Sequence, residues 1–235
     1  MITFIMVGTK GHTPMIVEDF ERPSDEQLDA LREINPNDLG HHVHFGHTSP
    51  QIKFMETSDS ANIVGPALTV RIPPEDGTMV HKATELAKPG DVIVIDMGGH
   101  TTNAPWGDVT THAAMARGVE AVVIDGAVTD THGIRKLGFP VFARAKSTRT
   151  VRGLGIGGDI NVPIQAGSTT VEPGDVAIAN EEGVLFVPQD DIDRALEHCE
   201  GKLERQEEII AQLEDGASLA DLSGANDRIQ RMSEE

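Results

Sequence analysis

Two aspartates are candidates for the site, and one of them, Asp130, stands where the chain could hold a divalent cation. Asp130 comes shortly after a β-branched run at residues 122–124, and Asp108 follows Gly107 at the predicted start of a helix. In α/β folds, ligands bind at the carboxyl ends of the strands, and carboxylate oxygens are donors that Mg²⁺ prefers. The pattern therefore makes Asp130 a candidate metal ligand. The alternative is that Asp130 only caps the following helix, which runs through Ile134.

The stretch of residues 98–110 could bind the anionic part of a ligand. It is rich in glycine and leads into a helix that is predicted to run from Asp108 to Arg117. The first N–H groups of a helix have no partner within it, and the positive end of the helix dipole lies beside them. A substrate carboxylate is therefore expected to bind there. Asp108 could also be the N-cap of this helix, a role that does not exclude one in the site.

Several short motifs of the chain are similar, in order and in spacing, to those of one known family. They are GDVTTHAA from Gly107, VVIDGAVTD from Val122, FPVFAR from Phe139, PGD from Pro173 and GVLFVP from Gly183. Together they lie within about residues 65–188 and resemble the RraA-like / 4-hydroxy-4-methyl-2-oxoglutarate aldolase family. The resemblance implies an α/β fold, a layered ββα swivelling-type domain with helical N- and C-terminal extensions. It also implies assembly as a homotrimer or a dimer of trimers.

The same resemblance implies a site and a reaction. Backbone amides of Gly107, Asp108, Val109 and Thr110 would contact a 2-oxo acid substrate, and Asp130 would hold Mg²⁺ or Mn²⁺, largely through water molecules. Asp108 and Asp130 would be the catalytic residues. The implied activity is that of a class II pyruvate aldolase, which cleaves a C–C bond of a 4-hydroxy-2-oxo acid or decarboxylates oxaloacetate.

The chain departs from this family at Thr129, where the family has an arginine before the aspartate. A threonine has no charge and cannot make the two parallel hydrogen bonds of a guanidinium. Losing such a charged hydrogen bond lowers the rate of the catalysed reaction by about a hundredfold or more. Three hypotheses follow. In the first, another cation substitutes for the arginine, and the nearest in sequence are Arg135, Lys136 and Arg144. Thr129 and Arg144 both belong to the predicted substrate-binding set. In the second, the substrate lacks the carboxylate that the arginine would bind, or is a different, sugar-acid-like compound. In the third, the protein is a non-catalytic regulator that binds another protein.

Histidines near these segments are further candidates. Four lie within one short stretch, where they could bind a transition metal or pack at a subunit surface or a pocket edge: His41, His42, His44 and His47. Three others could shuttle protons at the site or be ordinary polar residues: His100, His112 and His132. Trp106 either walls the pocket or packs in the core.

The composition narrows the class of protein. The 235 residues include 38 Asp and Glu against 19 Lys and Arg, a net charge of −19 that would repel the phosphates of a nucleic acid. Such acidity fits either a salt-adapted organism or an ordinary acidic protein. No apolar run is long enough to cross a membrane, so we expect no membrane partner. The single cysteine, Cys199, excludes an internal disulfide framework and favours a cytoplasmic location.

The chain is predicted to form one domain over residues 1–235, with a core at about 60–190, an N-terminal extension at 1–59 and a C-terminal helix and tail at 190–235. Ser24 and Gln27 form a capping box for a helix through Ile34. Strands are predicted at residues 67–72, 92–95, 122–124, 176–179 and 184–187. Residues 46–62 and 143–163 are predicted to be irregular, residues 190–213 to form one amphipathic helix, and the tail to be frayed or bound to a partner.

Overall fold

The computed structural model of the protein describes residues 13–40, 46–56, 62–199 and 201–234. These parts of the chain contain ten strands: β1 (Lys53–Glu56), β2 (Ile63–Arg71), β3 (Val92–His100), β4 (Ala121–Val128), β5 (Val141–Lys146), β6 (Asp159–Ile160), β7 (Ile164–Ala166), β8 (Thr169–Val171), β9 (Val176–Asn180) and β10 (Gly183–Val187). They also contain nine α-helices: α1 (Asp25–Arg32), α2 (Pro36–Gly40), α3 (Thr78–Leu86), α4 (Asp108–Met115), α5 (Thr131–Leu137), α6 (Ile192–Cys199), α7 (Lys202–Glu214), α8 (Leu219–Leu222) and α9 (Ala225–Glu234).

The strands form one mixed sheet with the order β1-β5-β4-β3-β2-β9-β10. Its centre, β2 to β5, is parallel, because α3, α4 and α5 each carry the chain back to the start of the next strand. At the edges, β1 runs antiparallel to β5, and β9 and β10 add an antiparallel pair beside β2. The short β6 also pairs with β2, and β7 and β8 form a separate hairpin. The expected α/β fold is therefore confirmed.

Both faces of the central sheet are covered, which explains why its strands read as continuous apolar runs. Every residue of β4 is buried. One face packs against apolar residues of α3, α4 and α5, including Val80, Ala114 and Ile134. The other face packs against the β7–β8 hairpin, through Ile164 and Val171. A third cluster packs α1, α2 and α6 onto β9 and β10. Parallel strands need this double cover, so the layered arrangement follows from the hydrophobic pattern.

Several predicted elements are confirmed. The capping box at Ser24 is present: its hydroxyl accepts the N–H of Gln27 at 3.2 Å, and the Gln27 side chain accepts the N–H of Ser24 at 3.1 Å. The strands predicted near residues 92, 122, 176 and 184 are all found. Within the described residues, no helix is both long and apolar enough to cross a membrane.

Other predictions of secondary structure were wrong at their boundaries. Residues 46–62 were expected to be irregular, yet β1 lies among them because it adds to the exposed edge of β5. β2 begins at Ile63, since residues 63–66 pair with β9 rather than with β3. β3 continues to His100 through Gly98 and Gly99, whose φ angles of 62° and 77° form a bulge that few other residues tolerate.

The C-terminal region also differs from the expectation. The single helix predicted for residues 190–213 is divided into α6 and α7, with Gly201 in the left-handed conformation at φ 72° between them. The tail, expected to be frayed or bound to a partner, is not frayed, because it forms α8 and α9. Their apolar side chains Leu219, Ile229 and Met232 are exposed.

Two Pro-Gly-Asp turns use the same local geometry in different electrostatic surroundings. In each turn the aspartate carboxylate accepts the N–H of the residue three positions earlier, from Lys88 to Asp91 at 2.9 Å and from Glu172 to Asp175 at 2.8 Å. The guanidinium of Arg22 also donates to both oxygens of the fully buried Asp91, each at 2.9 Å. This bidentate ion pair, here called the Arg22 fork, joins the N-terminal segment to the turn before β3. Asp175 is buried beside Glu172, and burial raises its pKa to about 6.

We expect Arg22→Gln to lower the free energy of unfolding by about 2–4 kcal/mol, because it leaves the Asp91 carboxylate buried without its counter-ion. Denaturant unfolding followed by circular dichroism measures this change. Arg32→Gln is the matched control, since its partner Asp29 is largely exposed and its loss should cost about 0.5 kcal/mol or less. Equal effects of the two substitutions would show that the Arg22 fork does not stabilise the fold.

A second prediction concerns pH. The folded-state pKa of Asp175 is raised above its unfolded value, so its ionisation costs stability as the pH rises from about 4 to about 6. Asp175→Asn removes that cost and keeps an oxygen acceptor for the N–H of Glu172. The variant should be more stable than wild type by about 1–2 kcal/mol at pH 7 and indistinguishable from it below pH ~4. Urea unfolding at pH 4 and pH 7 tests this, and a difference independent of pH would contradict it.

Candidate functional site

The backbone brings the two predicted halves of the site together. Trp106 forms a parallel bridge with Val128 at the end of β4, and the N–H of Thr129 donates to the carbonyl of Trp106 at 2.9 Å. Gly107 directly follows Trp106, and Asp130 directly follows Thr129, so this hydrogen bond brings two predicted site residues side by side. The pairing therefore places the start of α4 against the loop that follows β4, at the carboxyl end of the parallel strands.

Gly107 lets the carboxylate of Asp130 approach the start of α4. A Cβ atom on residue 107 would lie 2.5 Å from Oδ2 of Asp130 and 2.9 Å from the Thr129 methyl carbon. The N–H of Asp108 donates to the same Oδ2 at 3.3 Å. A side chain at position 107 would thus displace the carboxylate from the helix end. Position 107 of the GDVT motif is a glycine because the Asp130 carboxylate packs directly against its Cα.

Asp130 occupies the N-cap position of α5, but its carboxylate makes no capping hydrogen bond to that helix. The capping interpretation is therefore wrong for the side chain. The backbone of Asp130 is left-handed, with φ 53° and ψ 28°, a conformation that costs a non-glycine residue about 1 kcal/mol or more. This turn directs the carboxylate toward α4, where it also accepts the Thr129 hydroxyl at 3.4 Å. Asp130 is exposed, so the carboxylate is accessible to a ligand.

Two threonines hold the first turn of α4. The hydroxyl of Thr110 accepts the N–H of Gly107 at 2.9 Å. The hydroxyl of Thr111 donates to the carbonyl of Gly107 at 2.8 Å and accepts the indole N–H of Trp106 at 2.9 Å. Because the N–H groups of Gly107 and Asp108 are engaged, those of Val109 and Thr110 remain for an anion, since the first turn of a helix offers them no partner. The side chain of Val109 is 82% exposed.

Trp106 belongs to the core and does not wall a pocket. It is 1% exposed and stacks on Phe139, with ring centroids 6.2 Å apart and planes at 13°. Its indole N–H is satisfied within the core by Thr111. The tryptophan acts on the site through its backbone, which pairs with Val128 and Thr129.

The histidines lie in different settings. His112 is one helical turn after Asp108, and its Nε2 is 3.8 Å from an Asp108 carboxylate oxygen on the surface. His132 is exposed on α5. The buried Nε2 of His100, at the end of β3, makes no hydrogen bond with the described residues. The stretch with His41, His42 and His44 lies outside the described residues, so the transition-metal hypothesis stays a prediction.

Arg144 takes part in a row of charges across the sheet that the sequence analysis did not foresee. The in-register positions on β2, β3 and β4 carry Arg71, Asp96 and Asp125, and Arg144 follows on β5. Arg144 donates to the carboxylate of the buried Asp125 and to the Gln51 side chain. Asp96 lies 3.7 Å from the guanidinium of Arg71. Arg144 is thus held in an ion pair with a buried carboxylate, beside Gly99 of the β3 bulge.

The carboxylates of Asp130 and Asp108 offer oxygen donors to a metal. Within the described residues, no group of three or more His, Cys, Asp or Glu side chains converges on one point. A cation at this site would be held by Asp130 and by water, with Asp108 on the adjacent helix start. This donor set fits Mg²⁺ or Mn²⁺, since Mg²⁺ keeps several waters and binds through one or two carboxylates. It does not fit Zn²⁺, which takes three or four protein ligands.

The sheet topology and the Gly107–Asp130 arrangement define an α/β protein whose candidate site lies at the carboxyl ends of its parallel strands. The chain belongs to the RraA-like family: the family model described as Aldolase/RraA matches residues 28–186. Among solved structures, a Streptomyces coelicolor member of the RNase ES inhibitor RraA protein family superimposes with a TM-score of 0.72 at 20% identity, over 81% of this chain and 100% of that one. This likeness supports the fold.

Several sequence relatives carry aldolase names. A Thermus thermophilus protein named 4-hydroxy-4-methyl-2-oxoglutarate aldolase is 29% identical over 157 residues, which are 67% of this chain and 94% of that protein. A Halalkalibacterium halodurans protein provisionally given the same name is 37% identical over 145 residues, or 62% of this chain and 69% of that protein. The RNA-processing inhibitor RraA from Thermus is also similar in structure, with a TM-score of 0.59 at 28% identity over 66% of this chain and 93% of that one.

We expect Gly107→Ala to disrupt the site with a modest loss of stability. The added methyl group must displace the Asp130 carboxylate, and overpacking of this kind costs about 1–3 kcal/mol. Amide chemical shifts of Asp108 and Asp130 should move strongly in nuclear magnetic resonance spectra. Gly153→Ala is the control, because a Cβ there comes no closer than 4.0 Å to any neighbour. Unchanged shifts at both aspartates in Gly107→Ala would contradict the close packing.

Proposed function

We propose that the protein is a Mg²⁺- or Mn²⁺-dependent C–C lyase of the class II pyruvate aldolase type. Its substrate would be a 4-hydroxy-2-oxo acid, and it would also decarboxylate oxaloacetate. The observation that carries the proposal is the placement of the Asp130 carboxylate on the N-terminus of α4, beside Gly107. One end of a small anionic substrate can then bind the helix end while the carboxylate holds a cation. The names of two relatives support the same reaction class.

The chain's own residues have separate tasks in this proposal. The N–H groups of Val109 and Thr110 bind the substrate carboxylate at the positive end of α4. Asp130, fixed by its left-handed backbone, would hold the cation. When bound, the cation supplies Lewis-acid stabilisation of the negative charge that develops on the 2-oxo group. The exposed carboxylate of Asp108 takes the proton of the 4-hydroxyl group, directly or through water, as the C3–C4 bond breaks.

The replacement of the family arginine by Thr129 supports a second candidate function, a non-catalytic regulatory or binding role. The RraA from Thermus that this chain resembles is described as an RNA-processing inhibitor. A binding protein of this kind needs no cation at position 129. The same replacement would also suit an enzyme of this fold that acts on a sugar-acid-like substrate. The accessible Asp130 carboxylate favours a catalytic site over the regulatory role, so we place the lyase first.

The assembly and the location are also part of the proposal. A homotrimer or a dimer of trimers would cover the exposed apolar residues of α9, Ile229 and Met232, which have no core to pack against within the described part of the chain. A cytoplasmic location is consistent with a single cysteine, Cys199, and with the absence of any disulfide framework in the sequence. Size-exclusion chromatography with light scattering measures the first of these two properties directly.

We expect the purified protein to release pyruvate from 4-hydroxy-4-methyl-2-oxoglutarate and from oxaloacetate only when Mg²⁺ or Mn²⁺ is present. Asp130→Asn should lower kcat/KM by about a hundredfold or more, because a neutral amide is a much weaker ligand for a hard cation. A coupled lactate dehydrogenase assay measures pyruvate. Asp215→Asn, an exposed aspartate after α7, is the matched control and should be as active as wild type.

One result would overturn the lyase proposal, and another would overturn the assignment of the cation to Asp130. The first is that wild-type protein, folded by circular dichroism, releases no pyruvate from either substrate with either metal. The second is that Asp130→Asn and Asp215→Asn have equal, metal-dependent activity. The first result would favour the regulatory role, and the second would move the metal site elsewhere in the chain.

A further inference from the structure

A second glycine, Gly133 in the first turn of α5, packs against the other aspartate of the site. A Cβ atom on residue 133 would lie 3.1 Å from Oδ1 and 3.2 Å from Cγ of Asp108. Both distances are shorter than the roughly 3.5–4.0 Å at which non-bonded carbon atoms attract each other. The Asp108 carboxylate therefore lies directly against the backbone of α5, in space that a side chain at position 133 would occupy.

The backbone conformation does not require a glycine at position 133. Gly133 is helical, and its N–H donates to the carbonyl of Asp130 at 2.8 Å. Gly138, which ends the same helix, differs in this respect because it is left-handed, with φ 68°. Glycine is also a poorer helix former than alanine, and α5 has only 7 residues. The space beside Asp108 therefore explains the glycine, and the conformation does not.

This packing makes the contact between α4 and α5 reciprocal. Asp130, the N-cap of α5, accepts the N–H of Asp108 at the start of α4, with Oδ2 3.3 Å from the nitrogen. Asp108, the first residue of α4, places its carboxylate against Gly133 of α5. Each carboxylate crosses to the other helix, and each crossing passes over a glycine, either Gly107 or Gly133. The two aspartates are thus held in the same gap between the helix starts.

The contact also gives the two oxygens of Asp108 different surroundings. Oδ1 is the oxygen closest to the Cβ position of residue 133, and it lies 3.8 Å from Nε2 of His112. Oδ2 is farther from that Cβ position, at 3.6 Å. Oδ1 therefore faces α5 and His112, and Oδ2 is the oxygen left for a ligand. The Asp108 side chain is 47% exposed, so it could turn into solvent if its place beside α5 were filled.

We propose that Gly133 is a positioning residue, whose missing side chain keeps the Asp108 carboxylate in the gap between α4 and α5. This inference rests on the proposed role of Asp108 in the lyase reaction. In that step the 4-hydroxyl O–H bond breaks, and its proton passes to Oδ2 of Asp108. The electron pair left on that oxygen forms the new carbonyl group, and the pair of the broken C3–C4 bond passes to the 2-oxo group as an enolate.

The test is Gly133→Ala in the full chain. The added methyl group should turn the Asp108 carboxylate away, which changes the ¹³C signal of that carboxyl group in nuclear magnetic resonance spectra. The melting temperature should be no lower than that of wild type, because alanine favours the helix and the exposed carboxylate can move. The value of kcat should fall about tenfold or more, since a small displacement of a catalytic group is costly. KM should stay within about twofold, because the N–H groups of Val109 and Thr110 are untouched.

Two further variants separate positioning from a general structural effect. Gly153→Ala is the matched control and should match wild type in all these measurements, because a Cβ there comes no closer than 4.0 Å to any neighbour. The second comparison is between Asp108→Ala and the double variant Asp108→Ala/Gly133→Ala. Their kcat values should be equal, since Gly133 acts only through the Asp108 carboxylate.

The outcomes distinguish this inference from the lyase proposal. An unchanged Asp108 carboxyl signal in Gly133→Ala would overturn the inference. So would an unchanged kcat in an active enzyme, which would leave the lyase in place, or a further fall in kcat when Gly133→Ala is added to Asp108→Ala. A wild-type protein that releases no pyruvate, together with a changed Asp108 signal in Gly133→Ala, would overturn the lyase and support the placement of Asp108 by Gly133.

Discussion

The candidate site depends on one short backbone pairing, in which Trp106 lies beside Val128 and accepts the N–H of Thr129. The two motifs that it joins are more than twenty residues apart in the chain, and neither forms a site alone. Trp106 can carry this pairing because its indole is fixed in the core, stacked on Phe139 and hydrogen-bonded to Thr111. The packing of this buried aromatic side chain therefore fixes the position of the start of α4 relative to the Asp130 carboxylate.

The strain at Asp130 is consistent with that dependence. A left-handed aspartate persists only when its surroundings hold it, and here the close approach of Gly107 and the bond from the N–H of Asp108 do so. The backbone strain therefore occurs at the residue whose carboxylate must point away from its own helix. Nearby, the row of Arg71, Asp96, Asp125 and Arg144 pairs each buried carboxylate with a cation, which lets charged residues occupy the carboxyl ends of buried strands.

Much of the fold could be predicted because the relevant signals are local. The capping box at Ser24 and the β-branched runs of the central strands predicted elements that are present. The errors in the strands have a common cause, since β1, the start of β2 and the end of β3 exist through pairing with strands distant in sequence. A polar stretch with weak β-propensity becomes a strand when it can pair with the edge of a sheet. The local sequence pattern does not indicate whether such an edge lies beside it.

The sequence by itself determined the α/β class, the family and the identity of the site segments, because hydrophobic period and motif order are properties of the chain. It did not show whether Asp130 caps its own helix, whether Trp106 is core or pocket, or that Arg144 is bound by Asp125. Only the tertiary structure decided these points, since each depends on the register between neighbouring strands and on the direction of a backbone turn. Register is set by contacts between residues far apart in the chain.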